Sequence, residues 1–342
     1  MLQSLALIVL VGLSLAAICQ KFRLPRLIGM LTTGILLGPF VLDMLDSSLL
    51  GISTELRKMA LVIILIRAGL SLNLRDLKQV GRPAILLSFV PAGFEIMAYA
   101  LLAPRLLGLG WEEAVVLGSV MGAVSPAVVV PQMVRLMEVG YGTSKSIPQL
   151  ILAGASLDDV FCMVMFTTFV GIAQGGTASV LDFAAIPLSI LSGLALGAMC
   201  GLAAARLFEL CHRRRRTVRN SVKLLILLAI SFLLLSAESW LEGVLPLSGL
   251  LAVMGMACVF QIGSAAAVTR RLSEKFSTLW IAAELLLFVL VGAAVDVRYA
   301  LGTGLLSLAM IALALGARAV GVALCLLRTK LNRRERLFCV IA

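Results

Sequence analysis

Long runs of apolar residues dominate this chain and limit what it can fold into. Eleven complete runs are separated by short polar loops, and a twelfth begins near residue 337 and is cut off at Ala342. A run of about 18 or more apolar residues is long enough to cross a bilayer as a helix. The sequence therefore predicts an all-α polytopic membrane protein. Its predicted segments are 2–20, 27–42, 54–74, 83–107, 111–137, 146–171, 180–208, 221–241, 245–262, 276–297 and 301–327.

The composition separates this chain from water-soluble proteins. Of its 342 residues, 61% are hydrophobic and 14% are charged, whereas soluble domains are about half apolar and about a quarter charged. Seven cysteines are scattered singly, and the one histidine, His212, lies beside a run of arginines rather than in a metal-ligand pattern. We therefore predict that the chain is not an enzyme and uses no cofactor.

Lysine and arginine are distributed unevenly between the loops. Loops at one end of the predicted helices hold 23 of the 29 basic residues, and loops at the other end hold four. By the positive-inside rule the basic loops are cytoplasmic and the N-terminus is outside. The net charge of +11 is therefore attributed to topology and to anionic membrane lipid, and not to nucleic acid. We expect a multi-pass protein of the plasma (inner) membrane.

Two adjacent acids, Asp158 and Asp159, lie within the apolar run 146–171. An acid at bilayer depth costs about 2.5–3.5 kcal/mol on insertion scales, so we expect these two to have a function and not merely a structural pairing. Consecutive residues point about 100° apart around a helix, so the two need not share one ligand. We expect Asp159 to be the main ion and proton ligand, although the sequence alone does not separate it from Asp158.

A proline-containing stretch in the preceding segment predicts a broken helix. It reads Gly-Ala-Val-Ser-Pro-Ala-Val-Val-Val-Pro, from Gly122 to Pro131. Proline removes a backbone hydrogen bond and clashes with the preceding turn, so Pro126 and Pro131 are expected to unwind the helix, with a simple kink as the alternative. Unwound backbone inside a membrane is tolerated where it lines a cavity. Its carbonyl oxygens, together with Ser125 and the acid pair, would suit Na⁺ or Li⁺.

A carboxylate for which a cation and a proton compete is sufficient for exchange transport. The ion enters only when the proton leaves, provided that the site faces one side of the membrane at a time. We therefore predict secondary active antiport of Na⁺ or Li⁺ against H⁺ by alternating access, with the competition at the Asp158/Asp159 site.

Two stretches of the chain share a pattern that indicates an inverted repeat. The first reads Gly69-x-x-x-Asn73-x-Arg75 and the second reads Gly292-x-x-x-Asp296-x-Arg298. Glu95 follows the first glycine by 26 residues, and Arg318 follows the second by the same interval. The two copies are seven predicted helices apart, an odd number, so they run in opposite directions through the bilayer, as in many secondary transporters.

We predict a single transmembrane transporter domain over residues 1–342. Repeat one covers about 22–171, linking helices cover about 180–241, and repeat two covers about 245–342. The last apolar run is too short to span a bilayer. The second repeat is therefore expected to be incomplete, with C-terminal helices missing from this chain.

Three further charged residues lie deep in the apolar segments. Glu95 and Arg318 occupy matching positions of the two repeats, and we expect them to form a structural ion pair that braces the repeats against each other. Glu284 is a candidate cavity acid. It is also a candidate partner for Arg67, which has the alternative of extending its side chain to the cytoplasmic face.

The order of these motifs resembles a known family of membrane transporters. The motifs are Leu24-Pro25 with Gly34-Ile35-Leu36-Leu37-Gly38-Pro39, then Ile66-Arg67-Ala68-Gly69-Leu70, then Gly122–Pro131, then Ser156-Leu157-Asp158-Asp159. They are similar to the monovalent cation/proton antiporter superfamily, and most similar to its NHA branch, the sodium/hydrogen exchanger 9B type. The likeness spans essentially the whole chain.

The resemblance implies a fold and a set of roles. It implies an inverted-repeat antiporter fold with a core domain and a dimerisation domain, working as a homodimer that exchanges Na⁺ or Li⁺ for H⁺. Asp159 would be the main ion ligand with Asp158 close by, and Glu95 and Arg318 would form an ion pair. Many members have a lysine near the acid pair where this chain has Arg318, which leaves the proton-to-ion ratio open.

Other functions remain as alternatives at this point. A cation channel would need a continuous and weakly binding path. An intramembrane aspartyl protease would need two aspartates that converge from separate helices, whereas these two are adjacent. A truncated, inactive paralogue that acts as a scaffold would need no transport at all.

Overall fold

A computed structural model of the chain describes residues 1–71, 74–173, 180–214, 218–241, 244–297 and 304–341. Within its helices, the side chains of residues 74–80, 156, 159, 167, 171, 173, 180–185 and 305 lie outside that description. The regular structure of these ranges is helical, with no strand among them. The all-α prediction is confirmed.

Fifteen helices are labelled here in chain order. The N-terminal half contains α1 (Leu2–Lys21), α2 (Arg26–Leu37), α3 (Ser47–Gly51), α4 (Ser53–Ser71), α5 (Leu74–Leu87), α6 (Val90–Leu106), α7 (Trp111–Met121) and α8 (Pro126–Val139). A 3-10 turn at Thr143–Lys145 leads into α9 (Ile147–Ala173). The remainder contains α10 (Val180–Arg213), α11 (Asn220–Trp240), α12 (Gly249–Gly263), α13 (Ala266–Ala293), α14 (Gly304–Cys325) and α15 (Arg333–Ile341).

Eight spans in the described ranges are long and apolar enough to cross a membrane. They are Leu2–Lys21, Gly81–Leu106, Trp111–Val139, Ile147–Val170, Ile186–Arg213, Asn220–Trp240, Ala266–Ala293 and Leu306–Cys325. Two shorter apolar helices, α2 and α12, accompany them. The predicted segment 54–74 forms α4 but is not one of the eight, because Glu55, Arg57, Lys58 and Arg67 make it too highly charged.

Several basic residues that the sequence predicts to lie in loops are helical instead. Arg82 lies in α5, which ends at Leu87, so the predicted segment 83–107 consists of parts of two helices. Arg270 and Arg271 lie in the first turns of α13. This helix has 28 residues and is therefore about 42 Å long, which exceeds a hydrocarbon core of about 30 Å. A helix of that length can extend its basic end into water.

The chain divides into two compact units, one of Met1–Ile64 with Glu274–Gly304 and the other of Leu65–Ser273 with Leu305–Ala342. In the first unit, α2 crosses α13 so closely that only glycine fits. A Cβ on Gly34 would meet the backbone carbonyl oxygen of Val289, and a Cβ on Gly292 would meet that of Leu31. Small residues at such crossings let membrane helices pack through their backbones.

The second unit contains a longer contact of the same kind. Gly193, Gly197 and Gly201 are four residues apart and therefore lie on one face of α10. A Cβ on each would meet the carbonyl oxygens of Ser248, Ala252 and Met256 of the α12 region, respectively. This glycine face explains why the long helix α10 can lie directly along α12.

The division into repeats is not decided by these helices. Asn73 and Arg298, which belong to the motif that indicates the repeat, lie outside the described residues. The single transporter domain with an inverted repeat therefore stays a prediction.

We expect Gly197→Ala to destabilise the protein by about 1–3 kcal/mol, because the new methyl group overpacks the α10–α12 contact. The matched control is Gly316→Ala in α14, where a Cβ has nothing within 4 Å. That change should leave stability unchanged or raise it by up to about 1 kcal/mol, because alanine favours helix. Thermal unfolding of the purified protein in detergent compares the two, and equal effects would contradict the backbone contact.

Candidate functional site

A break in a membrane-spanning helix organises the candidate site. Helix α7 ends at Met121 and α8 begins at Pro126, so residues 122–125 are not helical. Ser125 has an extended backbone, with φ −69° and ψ 112°. Proline disfavours the helical conformation of the residue before it, so Pro126 accounts for the position of the break. The predicted discontinuous helix is confirmed.

The predicted disruption does not extend to Pro131. This residue lies inside α8, which continues to Val139. Its missing N–H costs the helix one backbone hydrogen bond, to the carbonyl of Ala127, and the surrounding turns remain intact. The expectation that Pro131 would also unwind the helix was wrong.

Arg318 of α14 links several parts of the second unit through one guanidinium group. Its Nη1 donates to Glu95 Oε2 at 2.7 Å and to the carbonyl oxygen of Gly122 at 2.6 Å. Its Nη2 donates to Asp158 Oδ2 at 3.0 Å. A guanidinium presents five N–H donors in a rigid, planar fork, which allows one side chain to satisfy three acceptors.

Both carboxylates that bind Arg318 are removed from solvent. The side chains of Glu95 and Asp158 are 4% and 1% exposed, and that of Arg318 is 17% exposed. Glu95 lies on α6 and Asp158 on α9. The sequence predicts the pair of Arg318 with Glu95, whereas nothing in it indicates the bond to Asp158.

The two ends of the broken helix face groups of opposite charge. The Gly122 carbonyl, at the C-terminal end of α7, accepts from Arg318. The backbone N–H of Val124, just before α8, donates to Asp158 Oδ2 at 3.2 Å. Helix C-termini favour cations and N-termini favour anions, so the electrostatics of the break match the arginine and the aspartate.

A cavity of about 90 Å³ adjoins this break. Among the side chains that the structure describes, Asp158 and Arg318 are its charged lining residues, and apolar side chains such as Val129 and Val322 form much of its wall. One water occupies about 30 Å³ of liquid, so the cavity is large enough for a few waters or a small, partly hydrated ion.

The other two predicted ion ligands are Asp159 and Ser125. Asp159 is in the same helix as Asp158, but its side chain lies outside the described part of the chain. Ser125 is the residue that precedes α8, and it is exposed to solvent.

Two further deep charges are Glu284 and Arg67. Glu284 is half-buried on α13, in the first compact unit. Arg67 is buried and donates from Nη2 to Glu138 Oε1 at 3.0 Å. The sequence offers Glu284 or the cytoplasmic face for Arg67. It does not indicate Glu138, because this acid lies near the end of α8, where an acid needs no special explanation.

Comparison with known proteins places the chain in a family. A family model described as "Sodium/hydrogen exchanger, transmembrane" matches residues 5–342. The chain belongs to this family. It is 34% identical over 276 residues to sodium/hydrogen exchanger 9B2 of Pongo abelii, covering 80% of this chain and 50% of that protein. It is 32% identical over 328 residues to sodium/hydrogen exchanger 9B1 of Homo sapiens, covering 93% of this chain and 61% of that protein.

These relatives confirm the resemblance to the NHA branch. The match to sodium/hydrogen exchanger 9B2 of Mus musculus is similar, with 35% identity over 277 residues, 80% of this chain and 49% of that protein. The chain therefore spans about half the length of the 9B2 proteins.

A solved structure of related fold extends the comparison. The sodium proton antiporter MjNhaP1 from Methanocaldococcus jannaschii at pH 8 superposes with a TM-score of 0.77, over 98% of this chain and 80% of that one. The two sequences are 19% identical, so the likeness establishes the fold. The exchanger-family chain is a multi-pass membrane protein with an antiporter fold.

Replacing Arg318 should be more harmful than replacing either of its acids. Arg318→Met leaves Glu95 and Asp158 without their shared cation, and breaking a buried ion pair costs about 3–5 kcal/mol. Glu95→Gln should cost less, because Arg318 keeps Asp158 and the Gly122 carbonyl. The double variant Arg318→Met/Glu95→Gln should recover part of the loss of the single arginine variant. Thermal unfolding in detergent measures all three, and strictly additive losses would contradict a shared charge cluster.

Proposed function

We propose that this chain forms the ion-exchanging part of a secondary transporter that exchanges Na⁺ or Li⁺ for H⁺ by alternating access. The observation that carries the proposal is the buried Asp158 in a largely apolar cavity beside a broken helix. Such a site supplies both an ionisable oxygen and backbone dipoles at membrane depth, which is how secondary transporters bind ions. The family membership and the antiporter fold support the same function.

The charges of the cluster favour binding of a cation or a proton. When Glu95 and Asp158 are both ionised, Arg318 neutralises one of them and one negative charge is left over, to which an ionised Asp159 would add a second. A proton or an alkali ion can neutralise this excess charge, so the two compete. We assign the main ligand role to Asp159, with Asp158 and Ser125 contributing further oxygen atoms. Binding is thereby coupled to proton release.

Arg318 acts in this proposal as a fixed counter-ion. A guanidinium keeps its proton at all physiological pH values, so the exchanged protons come from carboxylates and not from residue 318. Its bonds to Glu95 and to the Gly122 carbonyl keep the broken helix in place while the aspartates change their protonation. The Glu95–Arg318 pair therefore has a structural role.

The assembly of the transporter is part of the same proposal. A single domain with two inverted repeats would work as a homodimer in the plasma (inner) membrane. Its N-terminus would be outside, and its basic loops would contact anionic lipid in the cytoplasm. The transported ions are substrates, no cofactor is required, and the protein is not an enzyme.

We expect Asp159→Asn to abolish cation-driven proton movement in proteoliposomes, because an amide neither releases a proton nor neutralises a cation. The matched control is Glu112→Gln, which changes an exposed acid at the start of α7 and should retain exchange. Proton flux driven by gradients of Na⁺, Li⁺ and K⁺ is the measurement. Unimpaired exchange by Asp159→Asn would refute the assigned role.

The same preparation separates the exchanger from its alternatives. The assay is run on the 342-residue chain and on a version extended by two transmembrane helices. Exchange by either version supports the proposal. Ionic currents far above carrier rates would instead indicate a channel, and two properly folded but inactive versions would indicate a scaffold.

A further inference from the structure

The helix α15 forms one wall of the cavity that contains Asp158. Cys339 and Val340 of α15 line the cavity together with Asp158 and Arg318. Cys339 is 7% exposed and belongs to an apolar cluster with Ile147 of α9 and other residues of α5 and α14. Anything that moves α15 therefore changes access to the buried aspartate.

The start of α15 is held by a charged contact outside the apolar segments. Glu335 Oε2 accepts from Lys145 Nζ at 2.8 Å and from the backbone N–H of Asn332 at 2.6 Å. The second bond is the glutamate half of a capping box, which satisfies a free N–H at the helix start. One carboxylate oxygen thus caps α15 and ties it to the turn that precedes the Asp158 helix.

The backbone around Lys145 fixes where its side chain begins. Thr143–Lys145 is a single 3-10 turn between two left-handed residues, Gly142 with φ 70° and Ser146 with φ 53°. Ser146 is buried, and its carbonyl accepts from Leu150 in the first turn of α9. The backbone of Lys145 is therefore fixed to the start of α9. Its bond to Glu335 accordingly sets the position of α15 relative to α9.

The ion pair is accessible to water. The Lys145 ammonium and the Asn332 N–H hold the pKa of Glu335 below its ordinary value. The side chains of Lys145 and Glu335 are 35% and 28% exposed. An ion pair with this exposure is weak enough to open and close reversibly.

We propose that Lys145 and Glu335 are positioning residues that hold α15 over the Asp158 cavity, so that breaking their ion pair opens the cavity to water. The basic loops that contain them are the predicted cytoplasmic side, so the opening would be toward the cytoplasm. The consequence for exchange rests on the proposed function, whereas the opening of the cavity does not.

The chain offers its own reporter for this movement. The other six cysteines are first replaced, so that Cys339 is the single thiol. The rate at which a small water-soluble maleimide alkylates this thiol then measures how often α15 moves away from the cavity. Glu335→Gln and Lys145→Gln should each raise that rate by about two- to fivefold, the effect of losing a partly exposed ion pair. Lys145→Arg keeps the positive charge, so Cys339 in this variant should be alkylated at the same rate as in the parent protein.

Two controls separate movement of α15 from general loosening. Glu209→Gln breaks another exposed ion pair, with Arg213 on α10, and should leave the Cys339 rate unchanged. In a parallel variant, Cys258 is the remaining cysteine. It is buried on α12 at 6% exposure and should stay unreactive in all the ion-pair variants.

The outcomes distinguish this inference from the proposed function. An unchanged alkylation rate of Cys339 in both glutamine variants would overturn the positioning role of Lys145 and Glu335. An equally large increase in the alkylation rate of Cys258 would overturn it as well. In proteoliposomes, Glu335→Gln should also change the apparent affinity for Na⁺ from the side of the basic loops. If the parent protein shows no exchange while Cys339 accelerates as expected, the proposed function fails and the positioning role stands.

Discussion

The site depends on one guanidinium placed where unpaired charge is not tolerated. Arg318 is mostly buried, and it contacts two carboxylates and a free backbone carbonyl at distances of 2.6–3.0 Å. Each partner would be unfavourable at this depth without the others. The interruption between α7 and α8 is tolerated because the carbonyl and the amide that lose their helical hydrogen bonds there bind to charged side chains instead. Removing the arginine would therefore disturb both the charges and the backbone.

Close helix packing creates the frame that carries this cluster. In each unit, glycines bring the backbone of one helix against carbonyl oxygens of the next, at Gly34 and Gly292 in the first unit and along α10 in the second. Apolar side chains alone do not drive association between helices in lipid, so short-range packing of this kind matters more than in water. A frame built this way keeps buried polar groups in register and leaves little room for side-chain adjustment.

Local chemistry explains which parts of the site were predictable. Pro126 acts on the residue directly before it, so the break could be placed within a few residues. A charge in an apolar run needs an explanation wherever it occurs, which identified Asp158, Glu95 and Arg318 without a structure. The effect of Pro131 was misjudged because the rest of α8 compensates for one lost hydrogen bond. Glu138 as the partner of Arg67 was missed because nothing local marks an acid near a helix end.

The sequence by itself determined the membrane class, the helix break, the buried charges and the family resemblance, because each follows from hydropathy, backbone chemistry or motif order along the chain. Only the tertiary structure decided that Arg318 bonds to Asp158 as well as to Glu95, and that the Gly122 carbonyl and the Val124 amide complete the cluster. It also decided that Lys145 and Glu335, 190 residues apart, meet at the start of the helix whose Cys339 and Val340 line the Asp158 cavity. The reason is that a hydrogen bond depends on distances of about 3 Å between atoms, and such distances between remote residues exist only after the helices have packed.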